Sequence, residues 1–293
     1  MQVSGYDYII VGGGSAGCVL AARLSEMPEA NVLLVEAGPR DTDPFIHMPV
    51  GFFKMTGGPL TWGYETAPLR HANNRVAVYP QGRVLGGGSS INAEIYTRGC
   101  PEDYDGWASE MNCKGWSWKD LKPYFVKSEG NTSLGGSEHG VDGPLGVTSP
   151  GSPNRVSQAY VQGCMDFGMP HNADFNSGKL EGAGLYQTTI KDGKRCSAAV
   201  GYLRPAMKRP NLTVRTDLFV TRLLIEKGRA TGVEVVSGSQ LQRLEATSEV
   251  IVTAGAIGSP KLLMLSGIGP ARHLREKDVS VIHDLKGVGQ NLH

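Results

Sequence analysis

Along the chain, hydrophobic and polar positions fall into two regular blocks separated by a long irregular middle. Tyr6–Val11 (YDYIIV) is short, apolar and rich in β-branched residues, the pattern of a buried strand. It runs into Gly12-x-Gly14-x-x-Gly17 and then residues 18–24 (CVLAARL), which predict a helix. A second apolar run, Val32–Val35, predicts another strand and ends at Glu36. After Gly38 the periodicity lapses. Residues 39–69 are irregular, with Trp62, Tyr64 and Pro68 marking a crossing from surface to core. Tyr104, Trp107, Trp116, Trp118, Tyr124 and Phe125 predict an aromatic core cluster rather than a set of substrate contacts. Ser117 is placed to cap a short helix starting at Trp118. Residues 139–145 predict a turn entering a strand, and 153–167 a helix closed by Gly168.

Regular structure returns near Asn211. Residues 212–215, 220–226 and 232–236 alternate as short strands joined by turns, and 251–252 predict a buried strand. Thr253-Ala-Gly-Ala256 then turns into a helix carrying Ser259 to Leu265, ended by Ser266 to Gly269. Pro260 suits an early helical position, where a missing N–H costs nothing.

The first block is a dinucleotide-binding pattern in its structural context: strand, Gly-rich turn, helix, second strand, acidic residue. Gly12 serves the tight turn, Gly14 admits a pyrophosphate to the helix N-terminus, and Gly17 packs helix on strand. Glu36, about 20 residues further on, is placed to accept from ribose hydroxyls. This pattern alone leaves NAD(P) and FAD open. NAD dehydrogenases continue in regular βαβ units of about 30 residues. The long Gly-, Pro- and Asn-rich middle of this chain instead suits a segment laid over an extended cofactor, so FAD fits better.

A third feature narrows the family. Gly82-Arg-Val-Leu-Gly-Gly-Gly-Ser-Ser-Ile-Asn92, followed by Tyr96, Arg98, Gly99 and Asp105, resembles the first signature of the glucose–methanol–choline (GMC) flavin oxidoreductases. Residues 255–269 resemble the second signature at Gly255, Ala256, Ser259, Pro260, Leu262, Leu263, Ser266, Gly267, Ile268 and Gly269. The resemblance covers essentially the whole chain. It implies an α/β fold: a Rossmann-like FAD-binding domain with a parallel sheet plus a small antiparallel β-meander, and an incomplete α+β substrate domain. The expected organisation is 1–155 and 196–293 as two segments of the FAD domain, with 156–195 a partial substrate-binding segment.

Carried onto matching positions, the resemblance puts Gly12, Gly14, Ser15 and Gly17 at the pyrophosphate and Glu36 and Ala37 at the ribose. It puts Val84, Gly88, Asn92, Ala93, Glu94 and Ile95 beside flavin and pyrophosphate, Val220 at the adenine, and Ala254 and Gly255 against the cofactor from the second block. Some relatives attach FAD through a His after the Ser pair. Here that residue is Ile91, which implies noncovalent FAD.

Composition adds exclusions. A net charge of +1 gives no electrostatic case for nucleic acid or an anionic membrane as partner. Five Cys (18, 100, 113, 164, 196) without a CxxC pair argue against a disulfide framework and against a zinc site, leaving no metal expected. No stretch reads as a signal peptide or transmembrane segment, so the expected location is cytoplasmic, free or peripheral to the inner membrane. The Asn131 and Asn211 sequons are read as accidental.

The usual GMC chemistry is oxidation of an alcohol to a carbonyl, with a His as base and hydride passing to flavin N5. The His residues here are 47, 71, 139, 171, 273, 283 and 293, and none stands in a recognisable arrangement with a carboxylate or other partner. The family's His lies in its C-terminal part, and residues 287–293 resemble a motif that normally continues with Asp-His. The expectation is therefore an N-terminal portion without the catalytic His, from a protein oxidising a small-molecule alcohol, a primary one being favoured. The electron acceptor stays open between a quinone, an artificial dye and oxygen. A GMC-type oxidase, a hydroxynitrile-lyase-like enzyme and a catalytically silent flavin-binding short form are the alternatives. An NAD-dependent dehydrogenase would leave both signatures unexplained.

Overall fold

The computed structural model describes residues 5–292, so the expectation attached to His293 lies outside the described residues. In chain order the principal elements are β1 (Tyr6–Val11), α1 (Ser15–Leu24), β2 (Val32–Val35), α2 (Pro101–Ser109), α3 (Trp118–Ser128), α4 (Arg155–Asp166), β3 (Leu212–Arg215), β4 (Phe219–Glu226), β5 (Arg229–Ser237), β6 (Gln240–Val252) and α5 (Gly255–Leu265). They divide between two compact units. The first takes residues up to 46, 51–91 and those from 197 onward; the second takes 47–50 and 92–196.

The first unit is built on a six-stranded sheet in the order β3-β2-β1-β6-β5-β4. β3, β2, β1 and β6 run parallel, while β6-β5-β4 form an antiparallel meander. The meander is continuous with the parallel sheet because β6 serves both. Its first residues pair with β5, and Ala246 onward pairs with β1. Only residues 251–252 of this 13-residue strand stand out in the sequence. The remainder alternates apolar with charged side chains on an exposed ribbon, which masks it.

Two apolar layers flank the strands, as their period of two dictates. Ile10, Val32 and Leu34 point to one face, where Cys18, Ala21 and Ala22 of α1 and Ala199, Leu203 and Ala206 cover them. Ile9, Val11, Leu33 and Val35 point to the other, meeting Leu218, Leu223, Val233, Val235 and Leu262. β2 is buried at every position, hence its unbroken apolar run. In α5, Pro260 falls at the sixth residue instead of the first turn. It removes the N–H that the Ala256 carbonyl would otherwise meet.

In the second unit, α3 opens on the cap expected at Ser117, and the structure adds a capping box: the Ser117 hydroxyl and the Asp120 carboxylate each accept from the other's backbone N–H. α4 is capped by Asn154 and followed by Gly168 at φ +102°. Short ladders join Ile95–Tyr96 to Gln187–Thr188 and Glu129–Asn131 to Leu145–Val147. The aromatic cluster forms: Tyr104 lies 5.1 Å from Trp107, 5.6 Å from Trp118 and 5.8 Å from Phe125. It is not a core, however, for Trp107, Trp116 and Tyr124 are exposed and α2 and α3 contain no buried residue. Two short helices leave one side of the cluster open to water.

Candidate functional site

In the first unit, Val11, Val35 and Val252 stand level in the parallel ladder, so the loops after β1, β2 and β6 emerge side by side. The carboxyl end of a parallel sheet is where α/β folds bind ligands. A cavity of about 550 Å³ lies there, within the range of small-molecule sites.

The loops are stitched together by backbone. Thr253 N–H donates to the Val11 carbonyl at 2.8 Å, and its hydroxyl donates to the Gly12 carbonyl at 2.8 Å. Gly12 sits at φ +104°, a conformation only glycine takes freely, and a Cβ there would come within 2.6 Å of the Thr253 carbonyl oxygen. Segment 82–91 is laid onto this turn. Gly86 N–H donates to the Gly13 carbonyl at 2.7 Å, and the Gly87 and Gly14 backbones are in close contact. Of the three consecutive glycines it is Gly87 that this approach requires, since a Cβ there would come within 2.7 Å of the Gly14 Cα.

Two helix N-termini open on the cavity. α1 follows Gly14 and α5 follows Ala254, neither with a side-chain cap, and Gly14, Ser15, Ala254 and Gly255 all line the wall. Their first N–H groups and helix dipoles favour an anion between them. Opposite in charge stands Glu36, a buried carboxylate that accepts from Gly13 N–H at 2.7 Å and Gly38 N–H at 2.8 Å. Burial raises its pKa above the ordinary carboxylate value, while the two N–H groups work against that rise. Each oxygen keeps a lone pair for a ligand hydroxyl. The remaining wall carries Gln81, Ser259 and Lys261 beside apolar and aromatic residues: Trp62 stacks on Tyr64 at 6.0 Å, meets Phe219 edge-on at 6.1 Å, and carries the Arg83 guanidinium 5.5 Å from its ring.

Of the residues expected from sequence, Gly12, Gly14, Ser15, Glu36, Ala37, Gly88, Val220, Ala254 and Gly255 line this one cavity. Gly17 lies behind it, where a Cβ would overlap the Gly12 carbonyl. Val84 is fully buried with Ile46, Met55 and Ile91, beside rather than on the wall. Asn92, Ala93, Glu94 and Ile95 belong to the second unit. Sequence reasoning missed Trp62, Tyr64, Phe219 and Thr253. The first two are marked only by alternation in Trp-Gly-Tyr, and the others by their place beside expected residues.

In the second unit, Asn92 Oδ1 accepts from Arg195 Nη1 at 2.6 Å and from Glu94 N–H at 3.2 Å. Glu94 is buried, with Oε1 3.6 Å from Arg195 Nε. Burial raises the Glu94 pKa, against the pull of Arg195. The expectation that no histidine has a carboxylate partner is corrected here. Buried His139 presents Nδ1 to Glu129 at 3.0 Å and Nε2 to Asp174 at 2.9 Å, and Glu129 also pairs with buried Arg98. The partners are far apart in sequence, so no local motif announces them. Among the described residues no group of three His, Cys, Asp or Glu could hold a metal ion, and no helix is long and apolar enough to cross a membrane.

A family model described as GMC oxidoreductase matches residues 6–293. The chain is 45% identical over 291 residues to an alcohol dehydrogenase (acceptor) of Pseudomonas putida, covering 98% of this chain and 52% of that protein. It is 45% identical over 289 residues to an oxygen-dependent choline dehydrogenase of Sinorhizobium fredii, covering 98% and 52%. An FAD-dependent oxidoreductase from Chaetomium thermophilum superimposes with a TM-score of 0.92 at 34% identity, over 98% of this chain and 52% of that one. The chain thus spans about half the length of the curated relatives it matches.

Proposed function

The chain belongs to the GMC oxidoreductase family, and from that premise we propose that its cavity holds FAD noncovalently, in a protein that oxidises a primary alcohol to an aldehyde. The observation that carries this reading is the pairing of two uncapped helix N-termini with a buried acceptor carboxylate around one cavity. A dinucleotide offers the complementary chemistry, an anionic pyrophosphate joined to ribose hydroxyls. The residues fit it: Gly14 has no other atom within 3.9 Å of where its Cβ would be, and the space beside Gly88 is open.

In this reading the N–H groups at the starts of α1 and α5 hold the pyrophosphate, Glu36 orients the ribose, and Trp62, Phe219 and Val220 give the adenine an apolar wall. Segment 92–95, with Val84 behind the loop, supports the flavin, as the family resemblance implies. Bound FAD supplies the hydride acceptor. Ile91 is buried and carries no nucleophilic atom, which supports noncovalent attachment. Among the described residues no histidine lines the cavity. We therefore place the base that takes the hydroxyl proton outside the residues described, and assign 92–155 to the support of the cofactor and 156–195 to the substrate side.

The relatives named for alcohol and choline support the alcohol class; choline itself would need an aromatic or acidic cage for its cation. Anaerobic addition of a primary alcohol to this chain loaded with FAD should leave the flavin bands unbleached, whereas a protein that includes the base should bleach them. Bleaching of the chain itself would overturn the placement of the base, and a bleached protein that regains its bands in air with release of peroxide would identify an oxidase.

A further inference from the structure

Gly12, Gly13 and Gly14 follow one another, a stretch of backbone with few conformational preferences of its own. Its peptide planes are therefore set by what they touch. The Gly12–Gly13 peptide is held at both ends. Its N–H donates to Glu36 at 2.7 Å, and its carbonyl accepts from the Thr253 hydroxyl at 2.8 Å. The Gly13 carbonyl accepts from Gly86 N–H at 2.7 Å and from the Cys18 thiol at 3.2 Å. Burial pushes the pKa of that thiol up to about 12, so it keeps the hydrogen it donates. The Gly14 carbonyl accepts from Cys18 N–H at 3.0 Å. Each carbonyl of the turn thus has a donor within the protein.

The sign of the charge makes this matter. A helix N-terminus attracts an anion through its unpaired N–H groups, and a carbonyl oxygen swung among them would repel it. The Gly12 carbonyl lies in a slot beside Gly17. A Cβ on Gly17 would come within 2.0 Å of that oxygen and 2.9 Å of Thr253 Oγ1, so glycine keeps the slot open. Thr253 supplies the donor that the oxygen meets there. Its hydroxyl is also 3.1 Å from the Val11 carbonyl, but the Thr253 N–H already serves Val11 at 2.8 Å, which leaves the hydroxyl hydrogen for Gly12. Thr253 directly precedes Ala254 and Gly255, where α5 begins. One residue therefore joins the starts of α1 and α5, whose N-termini open on the same cavity.

We propose that Thr253 is a positioning residue for the pyrophosphate: its hydroxyl holds the Gly12 carbonyl in the slot beside Gly17, turned from the anion, and ties the start of α5 to the turn that begins α1. The proposal rests on the reading of this cavity as an FAD site. Thr253 acts through Gly12, to which its hydrogen is committed, and takes no part in the chemistry itself. Glu36 keeps its own bonds to Gly13 and Gly38, so the ribose end does not depend on the hydroxyl.

The test compares Thr253→Val, which removes the hydroxyl at nearly constant shape, with Thr253→Ser, which restores it. Dissociation constants of FAD, ADP and adenosine are measured on the purified chain, together with its ligand-free melting temperature. ADP and adenosine share the apolar wall and Glu36, but only ADP brings a pyrophosphate. In Thr253→Val the dissociation constants of FAD and ADP should rise about 10-fold, and that of adenosine should stay within about 2-fold of the parent's. Thr253→Ser should bind all three like the parent. Thr253→Ala removes the same donor without setting a methyl group against the two carbonyls, and should shift ADP relative to adenosine in the same sense if the valine variant does not fold. Parent-like affinity for ADP and FAD in the hydroxyl-free variants would overturn the role of Thr253 and leave FAD binding standing. Equal weakening of ADP and adenosine would reduce it to a general structural part and overturn the proposal as well. A parent protein that binds neither FAD nor ADP would remove the reading on which the proposal rests.

Discussion

His139 stands between two carboxylates, Glu129 at Nδ1 and Asp174 at Nε2, with the Asn131 amide nitrogen 3.4 Å from Nδ1. A neutral imidazole has one N–H and one lone pair, so it would turn the lone pair toward either Glu129 or Asp174; only the imidazolium donates to both. Burial opposes the charge, but the bonds to Asp174 and Glu129 and their negative charges outweigh it, and the pKa lies above the ordinary histidine value. A pKa raised on folding contributes stability that is complete below the unfolded value of about 6.5 and is lost as pH climbs through the folded value. Arg98 faces Glu129 from the other side. The melting temperature should fall more steeply above about pH 6.5 in the parent than in His139→Gln, and parallel curves would refute the imidazolium. Glu36 invites a similar test. Its two oxygens serve two N–H groups, and a glutamine offers one acceptor and one donor in their place. Glu36→Gln should therefore lower stability by about 1–3 kcal/mol in chemical denaturation and weaken FAD binding.

At the scale of elements, the turn from β1 into α1 separates two uses of glycine. Gly17 packs helix on strand, with no space for a Cβ beside the Gly12 carbonyl, so Gly17→Ala should cost about 3 kcal/mol or more and show as lost soluble expression or a lowered melting point. Gly14 faces the cavity with room for a methyl group within the protein itself. Gly14→Ala should melt like the parent and yet bind FAD at least about 10-fold more weakly. Equal effects of the two substitutions on stability would contradict this division. β1, α1, β2 and their glycines were legible because each is local: a run buried on both faces, followed by a turn with fixed spacing. β6 was not, because charged residues such as Arg243 and Glu245 line an exposed ribbon and break up its apolar signal. Pro260 misled for a related reason. Its position within α5 depends on where the helix begins, and Gly255 starts it earlier than a proline in the first turn would require.

At the scale of the whole molecule, the first unit carries a sheet whose loops, all from one end, converge on a single cavity. Nine of the residues expected at the cofactor line it, because the dinucleotide pattern specifies backbone geometry that recurs wherever the strand–turn–helix recurs. The contacts that could not be read from sequence are those made by tertiary neighbours. Trp62 meets Phe219, and His139 meets Asp174, through folding alone. The account stands on FAD occupying that cavity without a covalent bond. Its most direct test is to titrate the purified chain with FAD, isolate the complex, and denature it in acid. Saturable binding, with all the flavin released into the supernatant, is the predicted result; absence of saturable binding, or flavin that stays with the precipitated protein, would contradict it.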